Sequence, residues 1–166
     1  MQWRSQKCAV VIKFKGESML ISTRGRYAIR VIIDLAQNSN GEYIPMKDVA
    51  KRQEISLKYL EKILPILTKN KIIEGVHGKG GGYKLAKNIK KYKVIDILKL
   101  TEGDLAPVAC LKKGSAKCKR KAECKTIHMW NKFYDIINKF FGSITIDDLV
   151  NNGKNFDIYT NLQQII

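Results

Sequence analysis

Residues 55–85 read ISLKYLEKILPILTKNKIIEGVHGKGGGYKL, and a change of period inside this stretch decides the fold. The first half is helical. Ser56 is a good N-cap, Ile55 and Leu60 are spaced as a hydrophobic staple, and Leu57, Leu60, Leu64 and Leu67 make one apolar stripe. Lys58, Tyr59, Glu61 and Lys62 fall on other faces. Pro65 interrupts the pattern: it has no amide to donate and is expected to bend or end the helix near its middle, at about 3 kcal/mol if uncompensated. After Asn70 the period shortens, and Ile72 to His77 and Tyr83 to Leu85 read as two short strands. Gly78-Lys79-Gly80-Gly81-Gly82 joins them, a tip that tolerates positive φ and lets backbone approach another surface closely.

Upstream, Ser22 caps a helix in which Tyr27, Ala28, Val31, Leu35 and Ala36 recur at helical spacing until Asn38-Ser39-Asn40-Gly41 stops it. A short helix from Met46 to Gln53 follows, its apolar residues Met46, Val49 and Ala50, and Glu54-Ile55 turns the chain. Helix, short helix, turn, helix and Gly-tipped hairpin is the order of a winged helix-turn-helix. In that arrangement the second helix of the motif enters the major groove and the wing touches the adjacent backbone or minor groove. The expected fold is mostly α with a small β-hairpin wing.

Downstream, Val94 to Leu100 reads as an amphipathic helix, then comes a Gly- and Lys-rich loop, then a long helix from about Ala122 to Phe141. On that helix Ile127, Trp130, Tyr134, Ile137 and Phe141 keep a three-four spacing. The spacing suits packing against a partner helix in a homodimer; an ordinary core helix is the other reading. The expected organisation is a DNA-binding domain over 19–100, a cysteine loop over 101–125, a dimerisation helix and its following segment over 122–150, and a tail over 151–166. Residues 1–18 show no helical or strand period. They read as a mis-called start or a tag ahead of Met19, since Lys15-Gly16-Glu17 is what a purine-rich ribosome-binding site would encode, or as a disordered arm.

Lys and Arg outnumber Asp and Glu by 31 to 15 in the 166 residues, a net charge of +16. Such an excess draws polyanions, nucleic acid foremost, through counterion release; a solvated basic surface is the bland alternative. No apolar run approaches the roughly 20 residues that span a bilayer, and the start carries no signal-peptide core, so a cytoplasmic, non-membrane protein is expected. There is no nucleotide-binding loop, and two histidines make no plausible nucleophile–base–acid set; no enzyme is expected.

On double-stranded DNA, Ser56, Lys58, Tyr59, Glu61 and Lys62 occupy the end of the recognition helix that reaches base edges. Glu61 either accepts from cytosine N4 or is a solvent-exposed charge paired with Lys58. Arg24, Arg26, His77 and Lys79 suit phosphate or minor-groove contacts, which position without specifying sequence.

Cys8 stands alone near the start. The other three cysteines form Cys110-x7-Cys118-x5-Cys124. Structural zinc sites favour tight C-x2-C knuckles, whereas wider spacing in an open loop suits a larger object, an iron–sulfur cluster held by several thiolates. Lys112, Lys113, Lys117, Lys119, Arg120, Lys121 and Lys125 should favour the thiolate form. Zinc, bare redox-sensing thiols and unligated cysteines compete. A fourth ligand is needed: His128 lies four residues past Cys124 and so returns to the same helical face. Glu123 or a partner subunit's residue are the other candidates.

The chain resembles the IscR-type iron–sulfur regulators. The resemblance rests on Ser22-Thr23-Arg24-Gly25-Arg26-Tyr27-Ala28, Ile55-Ser56-Leu57-Lys58-Tyr59-Leu60-Glu61, Gly78-Lys79-Gly80-Gly81-Gly82-Tyr83, the three cysteines and Ser143-Ile144-Thr145-Ile146-Asp147-Asp148-Leu149. It implies a homodimer with crossed long helices and a cluster on Cys110, Cys118 and Cys124, with 2Fe-2S favoured over 4Fe-4S; the cluster can be absent from protein purified in air. It also implies control of iron–sulfur biogenesis genes, and base readout by Glu61. The departures are specific. The first cysteine interval is two residues longer than in the best-known members. Ile127 occupies the place of their histidine ligand, with His128 next to it. Arg26 stands where the nitric-oxide-sensing branch has an aspartate ligand, and His77 and Lys79 stand where arginine and proline are common in the wing. Nitric-oxide or redox-stress sensing in the same family is the nearest rival; a zinc-binding structural or RNA-binding module, or an electron carrier, is more distant.

Overall fold

Helix α1 (Thr23–Asn38) begins where Ser22 holds the chain extended and its Oγ accepts from the Arg24 and Gly25 amides at 3.1 and 3.3 Å. The structure, a computed structural model, describes residues 21–151 apart from Lys79 and Lys117. The expected N-terminal extension 1–18, nearly all of the tail and the Lys79 contact therefore lie outside the described residues. Helix α2 (Met46–Gln53) ends at Glu54, whose φ of 54° turns the chain sharply toward α3 (Leu57–Lys69). Ser56 caps α3, its Oγ accepting from the Tyr59 amide at 3.3 Å.

The α3 stripe differs from expectation by one turn. Leu60, Ile63, Leu64 and Leu67 are buried, but Leu57 is 46% exposed. Leu57 continues the row backward to a point where the helix end projects past the core, so its side chain has nothing to cover it. Nor does Pro65 end the helix, which runs on to Lys69. Pro65 is exposed, so the Glu61 carbonyl that loses its amide partner faces water and the cost stays small.

Strands β1 (Ile73–Val76) and β2 (Gly82–Leu85) pair antiparallel, Ile73 opposite Leu85 and Val76 opposite Gly82. At the tip Gly78 and Gly80 take φ of 102° and 79°, and the Gly81 amide donates to the Gly78 carbonyl at 3.0 Å. The hairpin is fixed at its base from two sides. Ile44 and Tyr83 exchange backbone hydrogen bonds of 2.9 and 2.8 Å. Tyr92 Oη donates to the Ile72 carbonyl at 2.9 Å and accepts from the Lys87 amide at 2.6 Å, bolting the two ends together.

Ala28, Val31, Ile32 and Leu35 of α1 form the main core with Leu60, Ile63 and Leu67 of α3 and with Ile97 of α4 (Val94–Glu102). A second, smaller cluster joins Val94, Ile95 and Leu98 of α4 to Leu105, Ile137 and Ile144. Ile137 belongs to α5 (Ile127–Ser143), which precedes the short α6 (Ile146–Asn151). Helix α5 starts at Ile127 and not at Ala122: Lys121–Glu123 makes a 3-10 turn, and Cys124, at φ −76° and ψ 102°, breaks the helical path.

The expected partner-facing stripe of α5 is divided. Ile127 and Ile137 are buried and Phe141 packs beside the α4 cluster, while Trp130 and Tyr134 are half-buried. The row left outward is Met129, Phe133 and Ile136, with Met129 55% and Phe133 38% exposed and Ile136 half-buried; Phe140, four residues on, packs beside the α4 cluster as Phe141 does.

Candidate nucleic-acid interface and cysteine loop

Lys58, Glu61 and Lys62 are exposed on α3. Ser56 is occupied as the cap, so its hydroxyl has a local duty first. Tyr59 is half-buried, its ring edge-on to Tyr27 at 5.2 Å and 74°; it is braced from below, not free to swing. Lys58 and Glu61 form no ion pair with each other, unlike Arg52 with Asp34 and Lys84 with Glu74. Glu61 instead lines a cleft of about 310 Å³ between α3 and the wing, together with Thr68, His77 and Tyr83. The helix acid and the wing histidine thus share one concavity. Arg24 and Arg26 project from the start of α1, where Arg26 Nη2 donates to Thr23 Oγ1 at 3.2 Å.

Beneath this surface lies a polar clamp that pattern reading missed. Asp34 is buried on α1 and accepts from Arg52 Nη2 at 2.6 Å, from Arg52 Nε at 3.1 and 3.2 Å to its two oxygens, and from Gln53 Nε2 at 2.9 Å. Arg30 donates to Gln53 Oε1 at 3.1 Å and to the Gln53 carbonyl, and its guanidinium lies 5.2 Å from the Tyr27 ring. These contacts fix α2 and the turn before α3, and through Tyr27 they reach Tyr59. A signal was there: a lone aspartate between Val31 and Leu35 in an apolar stripe demands a partner.

The cysteine loop leaves α4 at Gly103. Asp104 ties it down, accepting from the Lys113 amide at 2.7 Å, the Ala106 amide at 3.0 Å and Tyr134 Oη of α5 at 2.6 Å. Partial burial pushes the Asp104 carboxyl up, but these three donors outweigh it and hold the group below its ordinary value. The same contact from Asp104, with burial, pushes Tyr134 up.

Cys110 and Cys118 are exposed, Cys124 is half-buried, and none is in a disulfide. Cys124 sits below the ordinary thiol value mainly because of the Thr126 hydroxyl 3.4 Å away and the amides that follow; Arg120 adds the least. For this thiol the hydrogen bonds at the foot of α5 outweigh the lysine field. Among the described residues no three His, Cys, Asp or Glu side chains converge to hold a metal ion. Cys118 and His128 do line one cleft of about 640 Å³, with Lys119 and Lys121 beside them. The donor set fits a cluster chemically: three accessible, unpaired thiols and an exposed imidazole on one segment.

Among the described residues no helix is long and apolar enough to cross a membrane. Residues 21–152 match the Rrf2 family, described as iron-dependent transcriptional regulators. The chain is 34% identical over 140 residues to the HTH-type transcriptional regulator IscR of Escherichia coli K12, covering 84% of this chain and 85% of that one. Among solved structures it is similar to T. potens IscR (30% identity, TM-score 0.64, 81% of this chain and 88% of that one). It is also similar to CymR, the global cysteine regulator of B. subtilis (26% identity, TM-score 0.65, 80% and 97%). With the winged helix, the exposed α3 face and the three-cysteine loop, these matches make the chain a member of the Rrf2 family of transcriptional regulators, of the IscR type.

Proposed function

We propose that this protein is a homodimeric regulator whose operator binding is set by an iron–sulfur cluster on Cys110, Cys118 and Cys124, and that it controls genes of iron–sulfur biogenesis. The observation that carries this reading is the company of the thiols. Three unpaired cysteines sit on a loop that Asp104 ties to α5, in a chain whose α3 and wing present Lys58, Glu61, Lys62 and His77 to solvent. His128 is the proposed fourth ligand, supported by the cleft it shares with Cys118. Three thiolates with one imidazole resemble the mixed sets of 2Fe-2S centres in which histidine replaces cysteine, so 2Fe-2S is the proposed type. When bound, the cluster supplies a centre that oxidation or iron shortage removes, and its presence or absence is the signal.

The chain's own residues do the rest. Lys58, Lys62, Arg24, Arg26 and Lys79 neutralise phosphates and set register, a term that weakens with salt. Glu61 accepts from a cytosine amino group in the major groove, a contact that suits an acid without a partner of its own. His77 enters the same cleft from the wing. The outward row of α5, Met129, Phe133 and Ile136, steps by four and three residues and is the proposed dimer seam. The two recognition helices then read half-sites about one helical turn apart.

The test is binding to a fragment selected from randomised duplexes, with anaerobically loaded and iron-free protein compared at one salt concentration. Affinity or preferred sequence should change by at least about tenfold between the two, a coupling of ordinary size. Equal affinity for the same sequences in both states would defeat the sensing function while leaving DNA binding intact.

A further inference from the structure

Two carboxylates flank Gly103 and point opposite ways. Glu102, the last residue of α4, accepts from Ser22 Oγ at 2.7 Å and from the Ser22 amide at 3.3 Å. Asp104 holds the loop through Lys113 and Ala106 and holds α5 through Tyr134. Gly103 lies between them at φ 80° and ψ −125°, a conformation that residues with a side chain avoid, and its amide closes α4 on the Lys99 carbonyl at 3.1 Å. Helix α1 comes so close that a methyl group at Gly25 would overlap Glu102 Oε1 and would lie 3.2 Å from Thr101 Oγ1. Three consecutive residues therefore gather the start of α1, the root of the cysteine loop and the middle of α5.

We propose that Glu102-Gly103-Asp104 is a joint that passes the position of the cysteine loop and α5 to the N-terminus of α1, with Glu102 and Asp104 as positioning residues for Arg24 and Arg26. Its regulatory meaning rests on the function proposed above, in which the loop is the sensor and those arginines face DNA. Both ends of the joint are charge-assisted hydrogen bonds, stronger than neutral ones. The piece between them is one residue, whose amide is held by the Lys99 carbonyl.

Ser22 makes the link directional. Its hydroxyl gives its proton to Glu102 and uses its lone pairs on the Arg24 and Gly25 amides, so it caps α1 and grips α4 at once. Moving Glu102 frees that proton and lets the cap turn away from the helix. A pull on Asp104 thus loosens the first turn of α1, where the two exposed arginines sit.

Amide hydrogen exchange on the full chain without iron tests the joint, because the measurement needs neither cluster nor DNA. Asp104→Asn should speed the Ala106 and Lys113 amides and, across the joint, the Arg24, Gly25 and Arg26 amides. Each should gain about tenfold, as loss of a contact to a charged group implies. The α3 amides of Leu60 and Ile63 should keep the wild-type rate. Tyr134→Phe, which removes one hydroxyl and little else, should move the same α1 amides in the same direction even if the Asn variant folds poorly. Faster loop amides with unchanged α1 amides would overturn the joint, and so would uniform speeding that includes α3, the mark of plain destabilisation. Loss of the sensing function by iron and sulfide analysis would leave these rates as predicted.

Discussion

Replacing Arg52 by alanine isolates the clamp under the recognition helix. The Asp34 side chain is 2% exposed and Arg52 is 38% exposed. Removing one partner of a buried ion pair costs about 3–5 kcal/mol, most of it the penalty of a stranded charge. Two facts lower that figure here. Gln53 Nε2 still donates to Asp34 at 2.9 Å, and the vacated arginine site opens to water, which screens the carboxylate. About 2 kcal/mol remains. Urea unfolding followed by circular dichroism would read it as a lower midpoint at unchanged slope. Asp34→Asn in the Arg52→Ala background removes the stranded charge and should return about 1 kcal/mol. Two results would show that the clamp carries no such weight. One is an Arg52→Ala variant within about 0.5 kcal/mol of wild type, the range of an ordinary surface change. The other is a double variant no more stable than the single one.

Tyr92→Phe unbolts the hairpin base, leaving the Lys87 amide without its acceptor and the Ile72 carbonyl with the Ala86 amide alone, and should cost about 1–2 kcal/mol by the same unfolding assay; no change would mean the hydroxyl is idle. Glu61→Ala should relax preference at one base position while Lys79→Ala weakens all sequences alike and lowers the salt slope by about 1. Selection on randomised duplexes and a salt titration separate the two, and identical behaviour of both variants would contradict their assigned roles. Phe133→Glu puts a charge in the proposed dimer seam and should give monomers by analytical ultracentrifugation; a dimer as tight as wild type would place the seam elsewhere.

Local features were legible in the sequence because their causes are local. Ser22 and Ser56 cap where the pattern puts them, and the change of period after Asn70 marks the wing. Leu57 was misassigned because periodicity tells which face a residue is on and not where the core ends. The start of α5 was set too early because Ala122 and Glu123 favour helix, while the extended backbone at Cys124 leaves no trace in composition. The contacts that organise the site are side-chain meetings across long separations. Asp34 to Arg52 spans 18 residues, Asp104 to Tyr134 spans 30, and Ser22 to Glu102 spans 80. No periodicity carries that information. Asp34 alone gave notice, as a charge inside an apolar row; Glu102 and Asp104 look like ordinary surface acids until α1 and α5 are packed against them.

The most direct test of the account is the iron, acid-labile sulfide and zinc content of anaerobically purified protein, with its visible spectrum, beside a Cys110→Ser/Cys118→Ser/Cys124→Ser variant. The wild type should be coloured, with about two irons and two sulfides per chain, as a 2Fe-2S centre requires, and the variant should be colourless and still bind DNA. A colourless wild type holding one zinc and no sulfide, or a variant that keeps its iron and sulfide, would rule out a cluster on these cysteines.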